Sequence, residues 1–405
     1  MPAHLGDGQA CKGSGKALEP NDLPSIVAPM PTGVPRLISD PNMKLFSCPA
    51  CDQVVYFENV TCERCERALG YDALSDRMVA LDPEDGFWKE AGSHSDQPTW
   101  KYCDNYQFGV CNWLIPTSDE ATFCLACRHN ETVPDASDPE NVRLWQKMEI
   151  AKRRLFYALI RWRLPLVTRT EHEEGLGFDF LAEDSGQPGN VMTGHDRGLI
   201  TIALVEADDA ERVKRREAMG EPYRTLLGHF RHEVGHWYWD RIVRDGNPGA
   251  LEACRALFGD DTEDYGEALK RHYANGPKPD WQNEYVSSYA GAHAWEDFAE
   301  TWAHYLHIVD TLEVGHSFGV VVDPRVKDRG LLTTQIDFDP YAANTTIEEI
   351  TDAWFAVSAA LNSFNRAMGH DDLYPFVLAP AVIEKLGFIH HLVRGQAGQG
   401  QMAAA

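Results

Sequence analysis

Apolar residues along this chain fall into stretches with two different periods. Leu226, Leu227, Phe230, Val234 and Trp237 recur at spacings of one, three, four and three, the stripe of one helical face. Pro222 suits the first turn of that helix. Ile347, Ile350, Trp354, Val357, Leu361 and Phe364 form a second such face. It opens on Thr346-Ile347-Glu348-Glu349, a capping box in which hydroxyl and carboxylate each satisfy a free backbone N–H, and it closes at Gly369. Further helices are predicted over 142–163, 208–219 and 380–393, the last with Pro380 in the first turn, where its missing N–H costs nothing. Residues 294–306 are rich in helix formers and lack Gly and Pro. Period-two alternation marks a strand at 198–205, with Ile200, Ile202 and Leu204 against Thr201 and Ala203. A second strand-like segment covers 175–182. The stretch 255–292, with Gly276-Pro277-Lys278-Pro279, shows no sustained period and reads as an irregular excursion, long enough to shape access to a nearby site.

Both ends lack any period. Residues 1–42 are rich in Gly, Pro, Ser and Asp and read as disordered. Met43, opening Met43-Lys44-Leu45-Phe46, is the expected initiator. The tail from Gly395, taken as 396–405, is low in complexity. Between the ends, 405 residues suggest two or three domains. Residues 43–132 carry the cysteine clusters. Pro134 to Pro139 reads as a linker, and residues 135–395 as the larger domain. The fold class is α+β, mostly helical with a small sheet, preceded by small cysteine modules. The core is ample, with 43% apolar residues and 11 Trp. A net charge of −25 argues against nucleic acid as a partner, which requires a basic footprint. No run of 18 apolar residues is present, and the most apolar stretch, 155–167, is broken by Arg161 and Arg163, so no membrane span is expected.

Eight of the 10 cysteines form two sets. Cys48, Cys51, Cys62 and Cys65 make CxxC…CxxC, the spacing of a four-thiolate zinc ribbon. Cys103, Cys111, Cys124 and Cys127 make a looser second set. Disulfides or a redox CxxC are the alternatives. No apolar run at the N-terminus resembles a signal peptide, however, and paired CxxC in an unsecreted chain reads as metal binding. The compartment expected is the cytoplasm. Cys11 and Cys254 are left as free thiols. Phe57, Tyr71, Trp88 and Trp100 supply small-core aromatics between the sets, and modules this small depend on metal to fold.

The chemistry centres on His232-Glu233-Val234-Gly235-His236, or HExxH. Residues four apart share a helical face, so His232 and His236 can reach one metal ion, and Glu233 can hold a water bound to it. Catalytic zinc takes three protein ligands and keeps one position open. A nearby third His, as in HExxHxxGxxH, is absent. A later helix carries Glu296 and Glu300 one turn apart: one can ligate, and the other can hydrogen-bond a ligating imidazole and fix its tautomer. Asp240, one turn after His236, competes for that bracing role. His229, His293, His304 and His307 are weaker rivals as ligands.

HExxH followed by a Glu on a later helix resembles the gluzincin class of zincin metallopeptidases. Glu296-Asp297-Phe298-Ala299-Glu300 is similar to the ExFAE helix of the anthrax lethal factor group. The resemblance implies Glu296 as third ligand and Tyr289, seven residues earlier, as a phenol assisting catalysis, with Tyr285 the alternative. With its cysteine modules, the chain from 43 to 395 resembles a family of bacterial zinc-binding metallopeptidases with an N-terminal zinc ribbon. The likeness also suggests that Leu199–Val205 is the edge strand bordering the cleft, an internal strand being the alternative. The expected activity is peptide-bond hydrolysis with Glu233 as general base, using one catalytic and two structural zinc ions. Partners would be a peptide or protein substrate and a protein bound by the ribbons. Rival readings are a catalytically silent zinc-binding scaffold, a nucleic-acid protein, and a hydrolase of non-peptide substrates.

Overall fold

The computed structural model describes residues 45–93, 98–182, 193–209, 211–212, 225–246 and 248–395. The expectations for residues 1–42, Met43, Cys11, Pro222, most of 208–219 and the tail fall outside them. The described part is a mixture of α and β structure, with seven α-helices and several small sheets.

The chain begins with a hairpin, β1 (Leu45–Ser47) against β2 (Val54–Tyr56), whose turn carries Cys48 and Cys51. A five-stranded antiparallel meander follows: β3 (Ala68–Asp72), β4 (Arg77–Glu84), β5 (Phe87–Glu90), β6 (Thr99–Tyr102) and β7 (Leu114–Pro116). The aromatics noted in the sequence divide between the two faces of this sheet. Phe57 and Tyr71 join the main core, their rings 4.7 Å apart, while Trp100 packs on the other face with Val79, Leu81 and Leu114.

The expected linker is not a spacer. β8 (Asn130–Thr132) lies before it and pairs in parallel with β9 (Gly177–Leu181), in a four-stranded sheet ordered β10-β11-β9-β8. Asp135 to Asp138 then turn directly into helix α1 (Pro139–Arg161), whose first turn Asp138 caps. The main core cluster runs unbroken from Phe46 to Val393. Tyr157 of α1 packs its ring 5.6 Å from Phe57 and hydrogen-bonds Glu313, while Arg161 bridges Asp76 and Asp339. The segments therefore separate in sequence but share one interior.

β10 (Gly194–Asp196) and β11 (Leu199–Ala203) form a hairpin through Arg197 and Gly198, both with positive φ, the two-residue turn whose twist matches paired strands. β11 pairs with β10 on one side and β9 on the other. This corrects the edge-strand expectation: Leu199–Ala203 is internal, and β10 lies at the edge. Alternation reports which face of a strand is buried, and says nothing of how many neighbours it has.

Helix α2 (Leu226–Tyr238) is capped by Thr225 and runs into a π-helical turn, Trp239–Arg244. Residues 255–292, expected to be irregular, contain the end of α3 (Pro248–Phe258) and all of α4 (Tyr265–Asn275). In α4 only Ala268 is buried; the helix's sequence signals are the cap, Asp264 accepting from Glu267 N–H, and a short stripe of Tyr265, Ala268, Leu269 and Tyr273. Helix α5 (Ala294–Ser317) crosses α2, and α6 (Ile347–Ala367), with its capping box, and α7 (Pro380–Val393) complete the fold. Gly235 lies at the α2–α5 crossing: a Cβ there would stand 3.2 Å from Ala299 Cα. Buried Arg231 clamps the same pair of helices by bonding Asp310 and His307 of α5. No helix among the described residues is long and apolar enough to cross a membrane.

Candidate metal centre

The α2–α5 crossing brings three of the sequence candidates to one point. His232 Nε2 lies 3.1 Å from His236 Nε2 and 3.0 Å from Glu296 Oε2, and His236 Nε2 is 3.5 Å from the same oxygen. Helical periodicity puts the two imidazoles on one face of α2, and the tight packing at Gly235 brings Glu296 to them.

Glu300 and Asp240, the two candidates to brace a histidine, part company. Glu300 Oε1 accepts from His232 Nδ1 at 2.7 Å, and its Oε2 accepts from Ser287 Oγ at 2.6 Å. Asp240 does not take that place: its Oδ1 accepts from Arg244 Nη1 at 2.8 Å, one turn on. Glu296 Oε1 accepts from the Tyr265 hydroxyl at 2.6 Å.

This arrangement calls for a cation. With the Nδ1 proton of His232 engaged by Glu300, its Nε2 presents a lone pair toward a second imidazole and a carboxylate oxygen. Tetrahedral zinc ligands at roughly 2.0–2.1 Å from the metal stand about 3.3 Å from one another, which matches the separations found. Electrostatics agrees. Burial would strip a proton from His232, but Glu296 and Glu300 outweigh it and raise its proton affinity well above the ordinary range. Burial would likewise raise the Glu296 pKa, yet the two imidazoles hold it well below the usual carboxylate range. Positive charge is favoured at the centre, and a divalent ion held by His232, His236 and Glu296 would supply it.

Glu233 is buried beside this cluster. Burial pushes its carboxyl upward, but a hydrogen bond from His229 and the charges of the neighbouring histidines bring it down to about 2. The Tyr289 ring centroid lies 6.1 Å from that of His232, and burial raises its phenol above the ordinary value. Tyr285 is engaged elsewhere, accepting from Lys278 and lying under Lys385. The rival histidines also have other work. His293 caps α5 by accepting from Trp295 N–H, His304 bonds the Tyr374 hydroxyl, His307 bonds Arg231, and His229 faces Glu233.

The cysteine sets form two further clusters. Cys48 and Cys65 sulfurs are 3.8 Å apart, Cys51 and Cys62 3.6 Å, and Cys111 and Cys124 3.8 Å. A disulfide would require about 2.0 Å, whereas thiolates about 2.3 Å from a tetrahedral zinc stand about 3.8 Å apart. The second cluster sits on α1, where Cys127 approaches Glu149, itself paired with buried Lys152 at 3.0 Å. Cys254 is a buried thiol pushed up to about 12 by burial.

Comparison with known proteins agrees with this chemistry. Residues 141–392 match a family described as "Putative zinc-binding metallo-peptidase". The chain belongs to this family. Residues 45–138 match a zinc-ribbon domain. Uncharacterized proteins of Mycobacterium tuberculosis and Mycobacterium bovis are each 41% identical to this chain over 352 residues, 87% of this chain and 95% of the relative. No solved structure matches the chain.

Several side chains of this family member's site were not found from the sequence. Tyr265 on Glu296 and Ser287 on Glu300 reach the site from outside the two metal-bearing helices. His195, on edge strand β10, places its ring 6.2 Å from His236 and 6.0 Å from Trp295. No local spacing signals these contacts. The cap before α4, with the stripe of Tyr265, Ala268, Leu269 and Tyr273, was the available clue, since it would have placed Tyr265 at a helix start.

Proposed function

We propose that this protein is a zinc-dependent peptidase of the HExxH…Glu, gluzincin type on a zincin-like scaffold, with His232, His236 and Glu296 as ligands. The observation that carries the reading is the convergence of two imidazole Nε2 atoms and a carboxylate oxygen within 3.0–3.5 Å, with Glu233 alongside. A zinc ion held there would lower the pKa of its water to about 7 and polarise a carbonyl.

The chain's own groups then divide the work. The Glu233 carboxylate takes the proton of the attacking water and delivers it to the nitrogen of the leaving amine. Glu300 keeps the proton on His232 Nδ1, so that Nε2 remains a donor of electrons. Tyr265 occupies Glu296 Oε1 and leaves Oε2 for the metal. Tyr289 offers its phenol to the oxyanion. The open edge of β10 suits an extended peptide added as a further strand. The two cysteine clusters hold structural zinc, consistent with a reducing cytoplasm. A net charge of −25 favours a neutral or basic peptide over nucleic acid, and the ribbon segment remains available to a protein partner.

Elemental analysis tests the reading. The wild type should hold about three zinc per chain and His232→Ala/His236→Ala about two. Glu233→Gln should keep all of its zinc and lose hydrolysis of a peptide library. Equal zinc in wild type and the double variant would refute the His/Glu site. Full activity of Glu233→Gln would refute the general-base role, whereas a wild type that cleaves no peptide would make a scaffold function the better account.

A further inference from the structure

The HExxH helix carries another histidine, one turn before its glutamate. His229 and Glu233 share a face of α2, and His229 Nε2 lies 3.2 Å from Glu233 Oε1. The other ring nitrogen, Nδ1, lies 4.0 Å from Oε2 of Glu206. Glu206 comes from a distant element, the 3₁₀ turn Leu204–Ala207 that follows β11. The imidazole thus lies between two carboxylates from different parts of the fold, at hydrogen-bond distance from the first and within ion-pair range of the second. All three side chains are sheltered, with 12%, 9% and 2% of the His229, Glu233 and Glu206 side chains exposed.

This is unlike the exposed i,i+4 pairs that decorate helix surfaces. Those are worth little because water competes for both partners. Here two acids are withdrawn from water, and burying them is costly unless a donor or a cation compensates. Nε2 of His229 stands at hydrogen-bond distance from Glu233, while Nδ1 and the Glu206 oxygen stand within ion-pair range with no hydrogen bond between them. Nor does His229 belong to the metal cluster, which comprises His232, His236 and Glu296. Its contact is with the acid beside that cluster.

We propose that His229, braced by Glu206, is a positioning residue that holds the Glu233 carboxylate for proton transfer; this rests on the peptidase reading above. His229 occupies Oε1, leaving Oε2 to meet the water. A Glu side chain has several rotatable bonds, and a general base must be held within about 2.6–3.2 Å of the proton it takes. The 3₁₀ turn after β11 supplies the fixed end of the chain of contacts, so the base is referenced to the sheet as well as to its own helix.

The test uses the full-length, zinc-loaded protein and the variants His229→Phe, His229→Gln and Glu206→Gln. Three quantities are measured: zinc per chain, kcat and KM on a peptide cleaved by the wild type, and the affinity of acetohydroxamic acid by calorimetry. Acetohydroxamic acid binds zinc and gives a proton to the adjacent acid, so it reports Glu233 placement without turnover. All variants should retain zinc. His229→Phe should lose about 10²-fold in kcat, the scale of a general-base contribution, with KM little changed. It should also bind the hydroxamate about tenfold more weakly, about 1.4 kcal/mol. Gln keeps an N–H donor and should recover most of both losses, and Glu206→Gln should fall between. Wild-type kcat and hydroxamate affinity in His229→Phe would overturn the proposal, as would equal impairment in Phe and Gln. Should Phe fail to fold, the same comparison of Gln and Glu206→Gln with wild type decides: wild-type values in Glu206→Gln remove the brace, and Phe-like loss in Gln removes the donor role. If the wild type cleaves no peptide, the peptidase reading fails, while the hydroxamate series still reports on His229 and Glu233.

Discussion

Removing the Glu300 carboxylate should loosen one metal ion and leave the other two in place. Glu300 touches His232 Nδ1 at 2.7 Å and Ser287 Oγ at 2.6 Å, and lies outside the proposed ligand set. In Glu300→Ala the imidazole loses a charge-assisted hydrogen bond, worth about 1.5–3 kcal/mol. Outer partners of ligating histidines typically contribute 10- to 100-fold in metal affinity, about 1.4–2.8 kcal/mol, so two independent routes give the same scale. Ser287 also loses its acceptor, although its hydroxyl can still contact Ala290 N–H at 3.1 Å. The measurement is competition with a chelator of known affinity, reading zinc released per chain. The two cysteine clusters serve as internal references, because zinc held there would be bound through thiolates remote from Glu300 in sequence and contact. Glu300→Gln keeps an amide oxygen to accept from Nδ1 without the charge, and should fall between wild type and Ala. If Glu300→Ala retained the third zinc as tightly as wild type, the bracing argument would be wrong.

Three other outcomes are expected. Gly235→Val forces side-chain atoms into the 3.2 Å gap at Ala299 and should cost about 1–3 kcal/mol in denaturant unfolding and weaken the His/Glu site selectively; an unchanged zinc content and midpoint would contradict the close crossing. Arg231→Ala removes the cation beside buried Asp310, which keeps the Tyr341 hydroxyl, and should destabilise by about 3–5 kcal/mol, a loss that chemical denaturation would detect. Burial holds His390 neutral, with its pKa brought down to about 3 from 6.5. The unfolded chain therefore binds the proton first on acidification, so the contribution of His390 is complete above about pH 6.5 and drains away as pH falls from there toward 3. His390→Gln should show a shallower acid loss than wild type across that interval, and parallel curves would remove His390 from the account.

The parts of the site that obey a local period could be read in advance. HExxH and the Glu296/Glu300 pair each depend on the spacing of one helical turn; the two histidines are named from it, while spacing leaves Glu296 and Glu300 open and the family resemblance points to Glu296. The cysteine sets are legible for a similar reason, since ligand spacing in a ribbon is short-range. What resisted reading depends on long-range packing. Asp240 has the same sequence credentials as Glu300, but Arg244 is a nearer partner for it. Tyr265, Ser287, His195 and Glu206 reach the site from separate turns and strands, and only the folded chain brings them there. Helix α4 escaped because its stripe of Tyr265, Ala268, Leu269 and Tyr273 is short and runs straight into Gly276-Pro277, and β11 was misplaced because alternation does not count neighbours.

The short strand β8 has a consequence for how this protein can be divided. It belongs by position to the cysteine-rich segment and by hydrogen bonding to the sheet that ends at β10. A gene fragment beginning after residue 132 would carry every residue of the His/Glu cluster and still expose the flank of β9, an unpaired strand edge of the kind that invites aggregation. Such a fragment should express as insoluble material, and its failure would say nothing about catalysis. The two segments are inherited as one object: a recombination event that moved the later part alone would deliver chemistry without the border that keeps its sheet soluble.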